Sequence, residues 1–276
     1  MVERMSIPTF ETEVKDLLES IHLEYGYDFR HYAPASMKRT LLQGMDRLEC
    51  RTIPALQEKI LRDSESFINL LQSLTIAVSE MFRDPSFFFS LRENVVPLLK
   101  TYPSLKIWVA GCSTGEEVYS LAILLQEEEL LDRTILYATD INPRSLEKAK
   151  AGVYGLKEIQ GYAQNYQLSG GKRSLTDYYT PDRDTVRFDR ALTNNVTFTD
   201  HSLVTDSVFS ETHLISCRNV LIYFDRELQN RAFSLFHESL NRKCFLGLGS
   251  QETIRLSKYE KYFDHFDKRE RIFQKK

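Results

Sequence analysis

Four short stretches of this chain hold residue types that are poor for a core and good for chemistry. The first is Gly111-Cys-Ser-Thr-Gly115-Glu-Glu117, directly after the apolar run Ile107-Trp-Val-Ala110. Glycines at a strand-to-helix turn let a ligand approach the backbone closely. The spacing is G-x-x-x-G rather than G-x-G-x-x-G, and no Gly-Lys-Ser/Thr follows as in a phosphate-binding loop. Two carboxylates at the start of the next helix would repel a pyrophosphate but suit a cation. S-adenosylmethionine carries an ammonium and a sulfonium. The plainer alternative is that Glu116 and Glu117 only complement a helix dipole. The second stretch is Tyr137-Ala-Thr-Asp140. Asp140, at a strand end, is placed to accept hydrogen bonds from both ribose hydroxyls of an adenosine. An acidic residue about 20 residues after the glycines does this in dinucleotide folds. A helix cap is the alternative role.

The third stretch is Cys217-Arg-Asn-Val-Leu-Ile-Tyr-Phe224. Arg218 and Asn219 directly after an apolar strand are poor core residues, and Tyr223 offers a flat face and a hydroxyl. The fourth is Ser79-Glu-Met-Phe-Arg-Asp84. Arg83 among apolar neighbours could reach into a cleft, where a guanidinium holds a carboxylate through a two-pronged fit.

The elements around these stretches follow from periodicity. Val14, Leu17, Leu18 and Ile21 predict a helix, and Met37, Leu41, Leu42, Met45 and Leu48 a second. Thr52 before Pro54 starts a third. Phe67, Leu70, Leu71 and Leu74 mark a fourth. Asp84-Pro85 predicts a capped helix with Phe88, Leu91, Val95 and Leu98 on one face. From Ile107 onwards the pattern alternates between strand and helix: a strand to Ala110, a helix from Gly115 to about Glu128, a strand over 134–139 and a helix over 143–151. Such alternation predicts a parallel sheet with helices on its faces. Three short strands over 174–180, 185–189 and 195–199 predict an inserted antiparallel meander. Alternation resumes with a strand over 213–217, a helix over 225–240 and strands at 244–249 and 271–273. The predicted edge that receives a ligand is the carboxyl end of the parallel strands.

A length of 276 residues leaves room for a sizeable core. The net charge of −3 provides no basic excess for neutralising phosphates, so nucleic acid is not an expected partner. No apolar run approaches the roughly 20 residues of a membrane span, and the first ten residues lack a signal pattern. The four cysteines are scattered, with no CxxC pair. That argues against zinc and for a reducing, cytoplasmic location.

Taken together, Val78-Ser-Glu-Met-Phe-Arg-Asp-Pro85, Ile107 to Ser120, Tyr137-Ala-Thr-Asp-Ile-Asn142 and Cys217 to Phe224 resemble the chemoreceptor glutamate methyltransferases of the CheR family. Tyr27-Asp-Phe-Arg30 and Leu248-Gly-Ser250 add to the resemblance, which runs from about residue 10 to the C-terminus. It implies an all-α N-terminal domain (1–76), a linker and helix (77–103) and a Rossmann-like class I S-adenosylmethionine-dependent methyltransferase domain (104–276). A small antiparallel β-subdomain would be inserted at about 155–200. The implied catalytic set is Arg83, Tyr223 and Arg218. The implied cofactor contacts are Ser79, Arg83, Gly111, Glu116, Glu117, Asp140, Ser202, Leu203, Arg218 and Asn219, with either glutamate meeting the methionine ammonium. Ser202-Leu203 stands where the family often has Asn-Leu, and Ser79 where it often has Thr.

The implied reaction methylates receptor glutamates and releases S-adenosylhomocysteine, in chemosensory adaptation. It needs no metal. A glutamate carboxylate has an ordinary pKa near 4.3, so no general base is needed either. The implied partner is a receptor helical bundle, met by Lys38, Arg39 and Arg47 of the second helix, with the membrane reached only through the receptor. The competing readings are a non-catalytic adaptor of the same fold and an NAD-dependent oxidoreductase. The missing G-x-G-x-x-G counts against the latter.

Overall fold

The computed structural model describes residues 10–75, 79–208 and 210–276. The boundary expected at 76/77, Val78 at the head of the stretch 78–85 and the first nine residues lie outside these. Contacts divide the chain into two compact units, Met1–Ile76 with Tyr223–Leu228, and Ala77–Ile222 with Gln229–Lys276. Among the described residues no helix is long and apolar enough to cross a membrane.

The first unit is helical: α1 (Phe10–Tyr25), α2 (Pro34–Arg47), α3 (Ile53–Arg62) and α4 (Ser64–Leu74). Each helix buries one apolar face, with Leu17, Leu18 and Ile21 from α1, Met37, Leu41 and Met45 from α2, Leu56 and Ile60 from α3, and Phe67, Leu70 and Leu71 from α4. Leu42, expected on the α2 stripe, is exposed. The Thr52 hydroxyl caps α3 by accepting from the Ala55 N–H, and Asp63 caps α4 through the N–H groups of Glu65 and Ser66.

The second unit opens with α5 (Pro85–Ser90), a π-helical turn (Leu91–Val95) and α6 (Val96–Leu99). The π turn adds one residue to the helical repeat. The buried face therefore slips from the expected Leu98, which is 40% exposed, to Leu99, which is 1% exposed. Next come β1 (Leu105–Ala110), α7 (Glu116–Glu127), β2 (Thr134–Asp140), α8 (Pro143–Ala151), β3 (Val153–Gly155), α9 (Leu156–Leu168), β4 (Tyr179–Asp182), β5 (Thr185–Phe188), β6 (Val196–Asp200) and β7 (Thr212–Cys217). The chain ends with α10 (Arg226–Ser239), β8 (Leu240–Leu248), β9 (Phe263–Asp267) and β10 (Ile272–Lys275).

Seven strands form one sheet in the order β6-β2-β1-β7-β8-β10-β9. β6, β2, β1, β7 and β8 run parallel, and β10 is antiparallel to both neighbours. The carboxyl ends of the five parallel strands thus share one edge, followed by Gly111, Ile141, His201, Arg218 and Gly249. A separate antiparallel sheet has the order β3-β5-β4. The meander over 174–199 therefore needs correction. Its third expected strand is β6, the edge strand beside β2, and the small sheet draws on β3 instead. Residues 174–178 begin with a 3-10 turn capped by Ser174. Short alternating runs do not distinguish an inserted strand from an edge strand of the main sheet. The helix α9 carried no such signal and went unpredicted.

Candidate active site

The Gly111 loop is built by backbone geometry. Gly111 and Gly115 have φ of +73° and +94°, values an L side chain resists. The N–H groups of Gly111 and Cys112 both donate to the Thr139 carbonyl at 2.8 Å. Asp140 fastens the loop from the next strand, accepting from the Ser113 N–H at 2.8 Å and from the Asn142 N–H at 2.9 Å. The helix cap is instead Asn142, whose side chain accepts from Arg144 and Ser145 N–H. Burial pushes the Asp140 carboxyl above its ordinary pKa, and hydrogen bonds from the Asn142, Ser113 and Ile141 N–H groups work against that rise. A carboxylate has about four lone-pair sites, so these three N–H donors leave acceptor capacity for a hydroxyl. Ser113 is itself left-handed at φ 50°, and its hydroxyl is buried with no hydrogen-bond partner among the described residues.

The two glutamates at the start of α7 diverge. Glu116 is 3% exposed and accepts from the Thr114 hydroxyl at 2.7 Å. Glu117 turns to the end of β7, where the Ser216 hydroxyl donates to it at 2.5 Å and Arg218 Nη1 at 2.9 Å. Arg218 is enclosed, its side chain 1% exposed. It lies over the Phe87 ring at 4.1 Å, and its Nη2 donates to the Asp84 carboxylate at 2.8 Å and to the Arg83 carbonyl at 2.7 Å. Asp84 occupies the N-cap position of α5 at φ 55°, yet its side chain makes no cap bond. The expected cap is overridden because the buried guanidinium holds that carboxylate.

The Arg83 segment is held at three points. Arg218 takes the Arg83 carbonyl, the Ser120 hydroxyl accepts from the Phe82 N–H at 2.8 Å, and Asn165 Nδ2 donates to the Met81 carbonyl at 3.1 Å. Phe82 and Asp84, on either side of Arg83, both have positive φ, at 51° and 55°. Non-glycine residues held this way cluster at functional sites.

Ser202 and Leu203 follow β6. The Ser202 hydroxyl accepts from the Val204 and Thr205 N–H groups, Leu203 is buried, and the His201 N–H points at the Asp140 carbonyl at 3.4 Å. Asn219 and Val220 complete the edge. A Cβ on Gly111 would lie 2.5 Å from Val220 Cγ2, so the two loops touch only because residue 111 is glycine. Ser79 is half-buried. Tyr223 falls in the helical unit, half-buried, with its carbonyl accepting from the Ala33 N–H at 2.8 Å. The edge therefore brings together Gly111, Glu117, Asp140, Arg218 and Asn219 with Arg83. One residue at it escaped the sequence: Glu252, beyond β8, whose carboxylate meets the backbone of the Asn219 turn. Its only signal was the Leu248-Gly-Ser250 stretch just before it.

The residues fit a cationic nucleoside. Acidic side chains line the edge, a glycine cradle would be filled by any Cβ, and no lysine grips a phosphate in the loop. The chain matches the model of the CheR methyltransferase SAM-binding domain over residues 77–272, and that of the CheR all-alpha domain over residues 12–75. The chain belongs to the CheR family. It is therefore a S-adenosylmethionine-dependent methyltransferase of CheR type. It is 56% identical to a Pseudomonas putida protein named "Putative methyltransferase Cher3", over 96% of this chain and 97% of the relative. It is 29% identical to the chemotaxis protein methyltransferase of Listeria monocytogenes, over 90% and 92% of the two chains. Against the chemotaxis protein methyltransferase of Salmonella typhimurium the identity is 31%, over 69% of this chain and 64% of the relative. As a CheR member it combines an all-α domain with a SAM-binding methyltransferase domain, and a small antiparallel sheet stands apart from the main one.

Proposed function

We propose that this CheR protein methylates glutamate side chains of methyl-accepting chemotaxis receptors, yielding glutamate methyl esters and S-adenosylhomocysteine. The observation that carries this reading is the hold on Arg83. The Arg83 backbone is set between two left-handed residues, Phe82 and Asp84, and its carbonyl is held by Arg218, which also pairs with Glu117, at the edge where a cationic donor fits. An arginine so placed can orient an incoming carboxylate by a bidentate contact.

S-adenosylmethionine, when bound, supplies a methyl group on a sulfonium that is open to in-line displacement. Asp140 accepts the ribose hydroxyls. Glu117 faces the methionine ammonium, because its carboxylate joins Ser216 and Arg218 at the strand ends, whereas Glu116 is sealed against Thr114. Ser79, Ser202, Leu203 and Asn219 border the cofactor. Arg218 acts as a positioning residue, its guanidinium committed to Glu117, Asp84 and the Arg83 carbonyl. The substrate carboxylate oxygen forms a bond to the methyl carbon as the carbon–sulfur bond breaks and sulfur keeps the electron pair. The carboxylate is already ionised at neutral pH, so no side chain has to take a proton. Alignment of the two reactants supplies up to about 7–11 kcal/mol in favourable systems.

The partner surface is α2, where Lys38, Arg39 and Arg47 are exposed. The test is methyl transfer from labelled S-adenosylmethionine to receptor-bearing membranes. Label that is released by mild base as methanol, and reduced far more than cofactor binding by Arg83→Ala, supports the reading. Cofactor binding without any transfer would leave the adaptor reading in its place.

A further inference from the structure

The end of β8 carries a carboxylate that no part of the methyl-transfer chemistry uses. Glu252 is 4% exposed. Its Oε2 accepts from the N–H groups of Asn219 at 3.0 Å and Gly249 at 2.7 Å. Its Oε1 accepts from those of Val220 at 2.8 Å and Leu221 at 2.7 Å. Among the described residues it has no ion-pair partner. Burial raises its carboxyl above the ordinary range, against the pull of the four N–H groups. A buried carboxylate without a cation is expensive to keep. Simple packing would be served as well by an apolar side chain.

What the carboxylate does is gather three consecutive N–H groups, from Asn219, Val220 and Leu221, on one point. Asn219 is left-handed at φ 61°. The chain therefore bends sharply after β7, directing Arg218 inwards to Glu117 and Val220 against Gly111. The bend also needs residue 249 to be glycine. A Cβ there would lie 2.8 Å from the Asn219 nitrogen and 2.8 Å from Glu252 Oε2.

We propose that Glu252 is a positioning residue for cofactor binding, fixing the Asn219 turn that closes the carboxyl edge over the Gly111 loop. It touches neither cofactor nor substrate and acts through backbone. This rests on the reading of that edge as the cofactor site. The role requires an acceptor at both oxygens. A glutamine would turn an NH2 towards two N–H donors, while an aspartate keeps the acceptors on a shorter stem.

The test is calorimetry of the full chain with S-adenosylmethionine and with S-adenosylhomocysteine, together with thermal unfolding, for wild type, Glu252→Gln, Glu252→Asp and Gly249→Ala. The expected result is a loss of about ten-fold or more in affinity for both ligands in Glu252→Gln, the size of a lost charged hydrogen bond. Partial recovery is expected in Glu252→Asp, and a similar loss in Gly249→Ala, which moves the same turn without changing a charge. If Glu252→Gln does not fold, the other two variants carry the comparison. Folded variants of lower melting temperature but wild-type affinity would overturn the proposal and leave Glu252 a purely structural group. Failure of the wild type to bind either ligand would instead overturn the cofactor reading beneath it.

Discussion

The Arg218 side chain donates to the backbone carbonyl of Arg83 at 2.7 Å, so one arginine sets the place of the other. The same guanidinium closes ion pairs with Asp84 and Glu117. Removing it strands the Glu117 carboxylate and the Arg83 carbonyl, while Asp84, 36% exposed, can turn to solvent. Arg218→Ala is expected to cost about 3–5 kcal/mol, the range for a broken buried pair. Arg218→Lys should recover little, since an ammonium lacks the forked geometry that serves three acceptors. Denaturant unfolding gives the first quantity and methyl-transfer rate the second. A variant with wild-type stability and rate would show that the latch is dispensable.

Gly111 and Val220 define how close the two loops come. Gly111→Ala puts an L side chain at φ +73° and a Cβ 2.5 Å from Val220 Cγ2. The left-handed backbone alone costs roughly 1–2 kcal/mol. Cofactor affinity should fall about ten-fold or more. The double variant Gly111→Ala with Val220→Ala relieves the contact and should regain part of the loss, a coupling that a double-mutant cycle measures. Strictly additive losses would mean that the contact does not govern binding.

Much of this site could be read in the sequence because its residues follow strand ends directly. Gly111, Asp140 and Arg218 each come within a residue of the end of an apolar run, so locating β1, β2 and β7 located them. Arg218 was expected beside the cofactor, and its commitment to Asp84 and Arg83 depends on an approach across more than a hundred residues that no local pattern encodes. Glu252 was missed for the same reason, since its partners are backbone N–H groups, which every residue but proline has. The slip from Leu98 to Leu99 came from a π turn, where the 3.6-residue repeat on which periodicity rests is interrupted. β6 was placed in the wrong sheet because pairing partners, unlike strand propensity, are not local.

Glu128 sets a pH window for stability. Burial pushes its carboxyl up, but Lys172, Lys100 and Arg92 outweigh this and hold it at about 2, against an ordinary value of 4.5. The ion pairs measure 2.7 Å to Lys172, 3.0 Å to Lys100 and 2.8 Å to Arg92. A depressed carboxyl contributes stability that is present above its unfolded value and lost as the folded group protonates. Glu128→Gln should therefore be less stable than wild type at neutral pH, and the gap should close as pH falls from about 4.5 towards about 2. Urea midpoints across that range test it. A gap that stays constant would show that the carboxylate charge is not the source.

The proposed receptor surface depends on charge rather than on the cofactor edge. Lys38, Arg39 and Arg47 are exposed on α2, and the Lys38 ammonium lies 5.5 Å from the centre of the Phe10 ring. That contact occupies one face of Lys38, so Arg39 and Arg47 are the better probes. Surface charges of this kind act through long-range attraction that salt screens, with a Debye length of about 8 Å at physiological ionic strength. Arg39→Glu combined with Arg47→Glu should lower receptor methylation about ten-fold or more at low salt. Affinity for S-adenosylmethionine and thermal stability should stay at wild-type values, because neither side chain is buried. Added salt should weaken the wild type towards the double variant. Equal methylation by the two proteins at low salt would rule out α2 as the docking face and move the search to other exposed parts of the chain.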